Sequence, residues 1–208
     1  MVPWTAMGRA TLQLPADARG RLIGGLAAAI VDKGYAAATI ADVVRRARVS
    51  KRTFYEHFAD KEACYLALYA VISDHLLEVI ARGADTDLPW RERLHATARA
   101  YLEELAAEPA LTRAFLLEIQ AAGPRALARR REVHRRFATV LLELTERAAA
   151  DEPAFAPLTP GLAIAVVGGI NELLIESLAD PSAPALPELA DTATELLVGV
   201  LTARALAP

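Results

Sequence analysis

Apolar residues recur every three to four positions along most of the chain, a spacing that predicts amphipathic helices. The first clear stripe consists of Ile23, Leu26, Ile30 and Val31, and Gly34 is a suitable residue to end that helix. No stretch alternates with a period of two for long enough to predict a strand. The pattern therefore predicts an all-α fold of about nine helices.

Two short helices are predicted directly after the first one. Thr39 and Asp42 have the spacing of a capping box, and Ser50 is a good N-cap for a second helix that begins soon afterwards. In that second helix Phe54 and Phe58 lie four residues apart and therefore share one face. Two short helices joined by a turn of three or four residues are typical of a helix-turn-helix unit.

Beyond this unit the sequence predicts a series of helices separated by short breaks. Prolines stand near the expected helix starts, where proline is tolerated. After a long helix that begins near Asp60, the remaining helices are predicted near 90–107, 109–121, 125–150, 160–179 and 186–206. We therefore divide the chain into an N-terminal tail (1–15), a helix-turn-helix head (16–62) and a helical body (63–208).

The second short helix of the head contains most of the candidate functional residues. If its two phenylalanines face inward, its polar residues turn outward, and in a helix-turn-helix unit the N-terminal residues of this helix face the DNA bases. The candidate DNA-binding residues are Thr39, Arg48, Ser50, Lys51, Arg52, Thr53, Tyr55, His57 and Lys61. A solvated, capped helix whose charges do nothing specific is the open alternative.

Charge is distributed unevenly between the head and the rest of the chain. Residues 1–62 contain 10 Lys and Arg against 6 Asp and Glu, a net charge of +4, whereas the whole chain has a net charge of −3. A basic head on an acidic body indicates that the head meets a polyanion. The single cysteine, Cys64, excludes an internal disulfide and favours a cytoplasmic protein. Prolines interrupt the uncharged window 153–171, so no membrane span is expected.

The head closely resembles the tetracycline-repressor family of bacterial transcription regulators. The resemblance covers residues 20–69, from an apolar helix that ends in Gly34–Tyr35 through the stretch AATIADVVRRARVSKRTFYEHFADKEACYLALY. The positions that match the family motif are Thr39, Ile40, Val43, Ala47, Val49, Ser50, Thr53, Phe54, Tyr55, His57, Phe58, Lys61 and Glu62. The motif is long and therefore specific.

The resemblance implies a three-helix DNA-binding head and a helical body that binds a ligand and dimerises. It also implies phosphate or base contacts for Thr39, Ser50, Lys51, Arg52, Thr53, Tyr55, His57 and Lys61. In the family, the last two long helices of each subunit form a four-helix dimer interface. The implied interface residues are Gly168, Leu189, Leu196, Leu197 and Val200. Packing within one chain is the alternative for these positions.

The body also offers candidates for an effector pocket. Asn171 interrupts a largely apolar helix, and a buried amide needs a partner or a ligand. The candidate pocket residues are Tyr101, Phe115, Ile119, Phe137, Leu141 and Asn171, although ordinary core packing is open for each. The arginine-rich run RALARRREVHRR (125–136) is either a second nucleic-acid patch or, as such runs usually are, a solvated helix face.

The sequence leaves three classes of function to consider: a transcriptional regulator, a small-molecule binding protein and an enzyme. The favoured one is a ligand-responsive, dimeric transcriptional regulator, most simply a repressor, that binds a palindromic DNA operator and is released by a small, largely apolar effector. The alternative is an all-α small-molecule binding protein without a DNA role. An enzyme is disfavoured, because the four histidines show no metal-binding spacing and no Gly-rich phosphate loop follows a strand. No cofactor, metal site or membrane partner is expected.

Overall fold

The computed structural model of the protein describes residues 14–205, and these residues form helices without any strand. The elements are α1 (Ala18–Ala37), α2 (Ile40–Ala47), α3 (Lys51–His57), α4 (Lys61–Ala84), α5 (Trp90–Ala107), α6 (Pro109–Arg113), a π-helical turn (Ala114–Glu118), α7 (Ile119–Ala121), α8 (Pro124–Asp151), α9 (Pro160–Ala179), a 3₁₀ turn (Leu186–Leu189) and α10 (Ala190–Ala205). The all-α prediction is confirmed, and the described residues form nine continuous helices when α6, the π-helical turn and α7, which follow one another without a break, are counted as one.

The chain divides into two compact units, and the division falls within α4, α5 and α8. The first unit combines the described residues up to His75 with Glu104–Arg130, and the second combines Leu76–Glu103 with the described residues from Arg131 onward. The first unit therefore contains the whole predicted head (16–62), and residues 1–13 of the predicted tail lie outside the described part of the chain. The domain boundaries at 16, 62 and 208 stay a prediction.

Helix α1 is the platform on which α2 and α3 pack. Its residues Leu26 and Ile30 are fully buried, as is Phe54 of α3. A methyl group built at Gly25 would lie 2.7 Å from the Val43 carbonyl oxygen of α2, so the two helix backbones approach too closely for any side chain there. Gly25 costs helix propensity, but it is the residue that permits this crossing.

The regular geometry of α1 breaks where the sequence predicts. Gly34 has φ +76°, a left-handed value that glycine adopts without strain, and a short helical stretch then continues to Ala37. Both predicted N-caps are also confirmed: the Thr39 hydroxyl accepts from the Asp42 N–H, and the Ser50 hydroxyl accepts from the Thr53 N–H. Local hydrogen bonding therefore sets the starts of α2 and α3.

Asp42 ties α2 to its surroundings. Its carboxylate pairs with Lys33 of α1 and with Arg45 of α2, and its pKa is held well below the usual range by the Lys33 ammonium and then by the Thr39 hydroxyl. Because the folded pKa is depressed, this stabilisation is present above pH ~4 and is lost as the pH falls below that value.

The second unit has its own apolar core, built from α8, α9 and α10 with the loop before α9. The buried members of this core are Ala138, Phe155, Leu158, Ala163, Val166, Val167, Leu197 and Leu201. The Trp90 ring packs edge-on against Phe155 with 4.1 Å between the ring centroids. Apolar burial of this kind supplies most of the stabilisation of a helical unit.

By length and composition alone, two helices, Lys61–Ala84 and Pro160–Ala179, pass as membrane spans. The helix predicted near 160–179 is confirmed, and it continues beyond the uncharged window through Glu172 and Glu176 to Ala179. Burial accounts for part of this apolar character, since 44% of the apolar window of α4 and 22% of that of α9 are buried. Helix α4 buries Tyr65, Leu68 and other residues in a core, and α9 buries Val166, Val167 and Leu174.

We expect Gly25→Ala to destabilise the protein by about 1–3 kcal/mol, the usual cost of overpacking, because the added methyl group meets the Val43 carbonyl oxygen. The neighbouring Gly24→Ala is the matched control. There the methyl group meets only the flexible tip of Leu14, at 3.1 Å. Its helix-propensity gain is about 1 kcal/mol. Urea unfolding of both variants measures the difference, and equal stabilities would contradict the close crossing of α1 and α2.

Candidate DNA interface and body sites

Helix α3 is anchored by its phenylalanine and presents its polar residues outward. Phe54 is fully buried and Phe58, just after the helix, is nearly so. Lys51, Arg52, Tyr55 and His57 are all exposed, and Tyr55 keeps 57% of its surface accessible. An exposed tyrosine on a helix with two adjacent cations is suited to contact a phosphate backbone through its hydroxyl.

The hydroxyl groups at the start of α3 have a local structural role. The Ser50 Oγ accepts a hydrogen bond from the Thr53 N–H at 3.0 Å and lies 2.9 Å from the Thr53 Oγ1. Thr53 is half-buried, whereas Ser50 is exposed at the end of the turn. Both residues therefore fix the start of α3, next to Lys51 in the sequence.

The turn between α2 and α3 is tight. Arg48 caps the end of α2 in the left-handed conformation, with φ 54°, and its backbone N–H donates to the Arg45 carbonyl oxygen. Its side chain is exposed, as is that of Arg45. Thr39 lies at the other end of α2, where its hydroxyl is engaged by the Asp42 carboxylate. The sequence-predicted residues Thr39 and Arg48 thus lie at opposite ends of α2.

Arg52 has a partner on its own helix. Its Nε donates to the Glu56 Oε1 at 3.1 Å, one helical turn further on. Sequence reasoning missed Glu56, although a glutamate four residues after an arginine is a recognisable signal for such a pair. The pair lies on the exposed side of α3, opposite Phe54.

Lys61 holds the end of α1. Its Nζ donates to the carbonyl oxygens of Tyr35 and Ala38, each at 2.9 Å, and stands 4.3 Å from the centroid of the Tyr35 ring. Burial lowers the pKa of this ammonium. A cation at the C-terminal end of a helix is favoured by the helix dipole. The structure thus assigns Lys61 a contact within the head, and its phosphate contact stays a prediction.

The same end of α1 is held by the π-helical turn. The Tyr35 N–H donates to the Glu118 Oε2 at 3.1 Å, and the Tyr35 ring stacks on Tyr65 with 4.1 Å between centroids. The Tyr65 hydroxyl in turn donates to the Ala114 carbonyl oxygen. Burial, followed by the charge of Glu62, raises the pKa of Tyr35 to about 12. No signal in the sequence indicates this network.

A further ion-pair cluster joins the starts of α4 and α8. The Arg125 Nη1 donates to the Asp60 Oδ2 at 3.0 Å and to the Glu62 Oε2 at 3.1 Å. This contact uses the first arginine of the run 125–136 inside the first unit, so that residue is not a free cation for nucleic acid.

The candidate effector residues divide between the two units. In the first unit, Phe115 stacks on Tyr69 with 4.4 Å between ring centroids, and Ile119 is fully buried. In the second, Tyr101 and Phe137 meet edge-on at 6.1 Å, and Leu141 is half-buried. The Asn171 amide donates to the Val167 carbonyl oxygen of its own helix at 2.9 Å. One N–H of this amide therefore has a partner within its own helix.

The second unit also contains a small, mostly apolar cavity of about 50 Å³ between α5, α8 and α10. Its walls are formed by Ala84, Trp90, Arg93, Leu94, Thr97, Leu144, Thr145, Ala148, Leu197 and Leu201. None of the six candidate effector residues lines it. Among residues 14–205, no group of three or more His, Cys, Asp and Glu side chains could hold a metal ion.

The candidate dimer residues differ in accessibility. Leu189 and Leu197 are buried, and Leu197 belongs to the core of the second unit. Gly168, Leu196 and Val200 remain half-buried. Sequence reasoning missed Ile164 of α9, which keeps 49% of its surface exposed. An apolar contact surface on α9 and α10 would therefore use these accessible residues, because the buried ones are already packed within the subunit.

The head and the overall fold both have known relatives. Residues 22–68 match the family model described as bacterial regulatory proteins, tetR family. A curated relative is the HTH-type transcriptional activator FasR of Mycolicibacterium smegmatis. It is 35% identical over 92 residues, which are 44% of this chain and 42% of FasR. The match thus spans less than half of that relative's length.

Solved structures extend the likeness to the whole fold. The fatty acid degradation regulator FadR from Bacillus halodurans has a TM-score of 0.75 at 20% identity, covering 90% of this chain and 97% of its own. FadR from Bacillus subtilis, solved in complex with stearoyl-CoA, has a TM-score of 0.72 at 18% identity, covering 86% and 96%. Residues 22–68 thus match the tetR family of bacterial regulatory proteins, and the chain shares the fold of these solved regulators.

Proposed function

We propose that the protein is a ligand-responsive, dimeric transcriptional regulator that binds a palindromic DNA operator through α3 and is released by a small, largely apolar effector. The observation that carries this proposal is the arrangement of α3. Its one buried residue, Phe54, orients the helix, and the cations Lys51 and Arg52 with the polar tips of Tyr55 and His57 are left accessible on the other side.

The charge distribution supports DNA as the partner of the head. Arg45, Arg48, Lys51 and Arg52 are exposed in or beside α2 and α3, whereas Asp42, the acidic residue of α2, is buried and paired. The alternative, a small-molecule binding protein without a DNA role, offers no reason to concentrate exposed cations on two short helices. The surface of the head therefore favours a phosphate backbone as its partner.

Dimerisation would explain why the operator is palindromic. A two-fold axis relates the two copies of α3, so the two half-sites that they contact are related by the same symmetry. The accessible apolar residues Ile164, Leu196 and Val200 on α9 and α10 support this assembly. A methyl group added at Gly161 or Gly168 of α9 would meet no heavy atom within 4 Å, so a second helix could approach these glycines closely.

The largely apolar part of the effector is proposed to be a long acyl chain, which is carried as a coenzyme A thioester. FadR of Bacillus subtilis binds stearoyl-CoA, and the cavity of the second unit has apolar walls. At about 50 Å³ this cavity is far smaller than the ~300–1,000 Å³ of an ordinary ligand pocket. Binding must therefore widen it, and a ligand that favours the widened state shifts the protein away from the closed one.

The sign of regulation is a separate part of the proposal. The head binds DNA in the same way in a repressor and in an activator. The position of the operator relative to the promoter determines which of the two effects follows. Repression is the sequence-based prediction, whereas the curated relative FasR is an activator. Transcription of a reporter behind the selected operator, with and without the protein, determines the sign.

The first test is the salt dependence of DNA binding. Lys51→Ala should reduce the slope of log affinity against log salt by about 0.9, the value for one lost phosphate contact. Arg131→Ala, which removes an exposed arginine from the run 125–136 of α8, is the control for net charge and should leave the slope unchanged. A reduced slope for Arg131→Ala alone would instead assign DNA binding to the arginine-rich run.

A second test addresses assembly. Ile164→Glu and Val200→Glu should each convert a dimer into a monomer, because an unpaired charge would be buried at the interface. Leu127→Glu is the matched control, since Leu127 of α8 is an apolar residue with 41% of its surface exposed. Light scattering reports the mass. A dimer that survives both α9 and α10 substitutions would place the interface elsewhere.

A third test concerns the effector. Stearoyl-CoA should weaken operator binding by about 5- to 150-fold, the usual range of allosteric coupling, whereas coenzyme A alone should not. Ala148→Leu narrows the cavity and should abolish this response while DNA binding persists. Ala128→Leu, on the exposed side of α8, is the control. A full response in Ala148→Leu would exclude this cavity as the effector site.

A further inference from the structure

The ion pair between Arg52 and Glu56 stands in an unusual place for an acidic residue. Glu56 is the one acidic residue between Val43 and Ala59, and it lies on the exposed side of the proposed DNA-reading helix. The side chains of Arg52 and Glu56 are 89% and 55% exposed. A carboxylate facing DNA phosphates is repelled, so its presence here weakens binding to DNA in general.

The geometry of the pair indicates how Glu56 could favour one DNA sequence even though its carboxylate weakens DNA binding in general. The Glu56 Oε1 accepts from the Arg52 Nε at 3.1 Å, which leaves both terminal amino groups of the guanidinium free. Those two groups form the fork that binds guanine O6 and N7 in the major groove.

We propose that Glu56 is a specificity-determining residue of the DNA interface, which orients Arg52 toward a guanine and penalises DNA on which that contact cannot form. The inference rests on the proposed DNA-binding function and adds a residue to it. On the operator, the Arg52 guanidinium remains between Glu56 and the base and neutralises the carboxylate. On unrelated DNA, Arg52 turns to a phosphate and leaves Glu56 unpaired in a negative field.

Glu56 therefore lowers the affinity for unrelated DNA more than it lowers the affinity for the operator. Specificity is a difference between two affinities, and a like charge placed against the competitor widens that difference. In free solution the pair itself contributes little, because both side chains are well hydrated. Its effect is expected only where DNA displaces the water around it.

The chain supplies a matched control for this experiment. Arg99 and Glu103 of α5 form the same type of pair, with Nε to Oε1 at 2.8 Å and side-chain exposures of 61% and 52%. Glu103→Gln removes the same charge from the same geometry outside the head. A comparison with Glu56→Gln thus separates an effect at the DNA interface from an effect of net charge.

The measurement is a binding profile for wild type, Glu56→Gln and Glu103→Gln, selected from a random double-stranded DNA library. The affinity of each of these three proteins for the selected site and for an unrelated duplex is also measured. Glu56→Gln should bind the unrelated duplex about fivefold more tightly, the factor for one unit charge a few ångströms away in water. Its preference at one symmetric base position in each half-site should fall by about threefold or more. Glu103→Gln should change neither quantity.

A double variant tests whether Glu56 acts through Arg52. In an Arg52→Ala background, Glu56→Gln should leave the base profile unchanged, because the side chain that Glu56 orients is gone. A further change in the profile would mean that Glu56 contacts a base itself, for example a cytosine amino group, and would overturn the positioning role. Equal thermal unfolding midpoints for wild type and Glu56→Gln confirm that folding is not the cause.

The outcomes separate this inference from the proposed function. If the wild type selects a palindrome and Glu56→Gln selects the same one with the same discrimination, the role of Glu56 is excluded and the regulator proposal stands. If Glu103→Gln raises the affinity for unrelated DNA as much as Glu56→Gln does, net charge explains the effect and the inference also fails. A wild type without any sequence preference would refute the proposed function itself.

Discussion

The burial of one aromatic ring determines the orientation of the surface on which the proposed function depends. Helix α3 has only seven residues, Lys51–His57, and a helix of this length is not stable alone in water. Phe54 is its one buried residue and packs with full exclusion of solvent in the core under the head. That single contact decides which side of α3 faces outward, and so makes Lys51, Arg52, Tyr55 and His57 available together.

The platform below α3 depends on a close approach of two helix backbones as well as on side-chain contacts. At Gly25 the backbones of α1 and α2 come so close that no methyl group fits beside the Val43 carbonyl oxygen. The far end of α1 is held by the Lys61 ammonium and the Glu118 carboxylate, which bind carbonyl oxygens and an N–H group near Tyr35. The position of α1 is therefore linked to the π-helical turn Ala114–Glu118 within the same compact unit. π-Helical turns are often found at functional sites, and this one contacts the end of α1 through Glu118.

Charges on α2 and α3 are sorted by burial. Asp42 is buried among Lys33, Arg45 and Arg46 and stabilises the fold, whereas the cations of α3 face solvent. Glu56 is the exception to this arrangement, since it is acidic and exposed on the same helix as the cations. A surface used only for electrostatic attraction would lack such a residue, which is why it points to discrimination between DNA sequences. The second unit, by contrast, is organised by apolar packing around a small cavity, and its accessible apolar residues lie on α9 and α10.

Local signals in the sequence determined most of the secondary structure and the outward face of α3. Thr39, Ser50 and Gly34 act on backbone groups within a few residues, so the starts of α2 and α3 and the break in α1 could be read directly. The spacing of Phe54 and Phe58 likewise indicated which side of α3 is buried. The roles of Lys61 and Glu118 could not be predicted, because their partners near Tyr35 are 26 and 83 residues away along the chain. The same limit applies to Leu189 and Leu197, whose apolar stripe predicts burial without saying whether the partner is the same chain or a second copy. Only the tertiary structure decided these contacts, since periodicity identifies the face of a helix that is buried and three-dimensional packing determines what covers it.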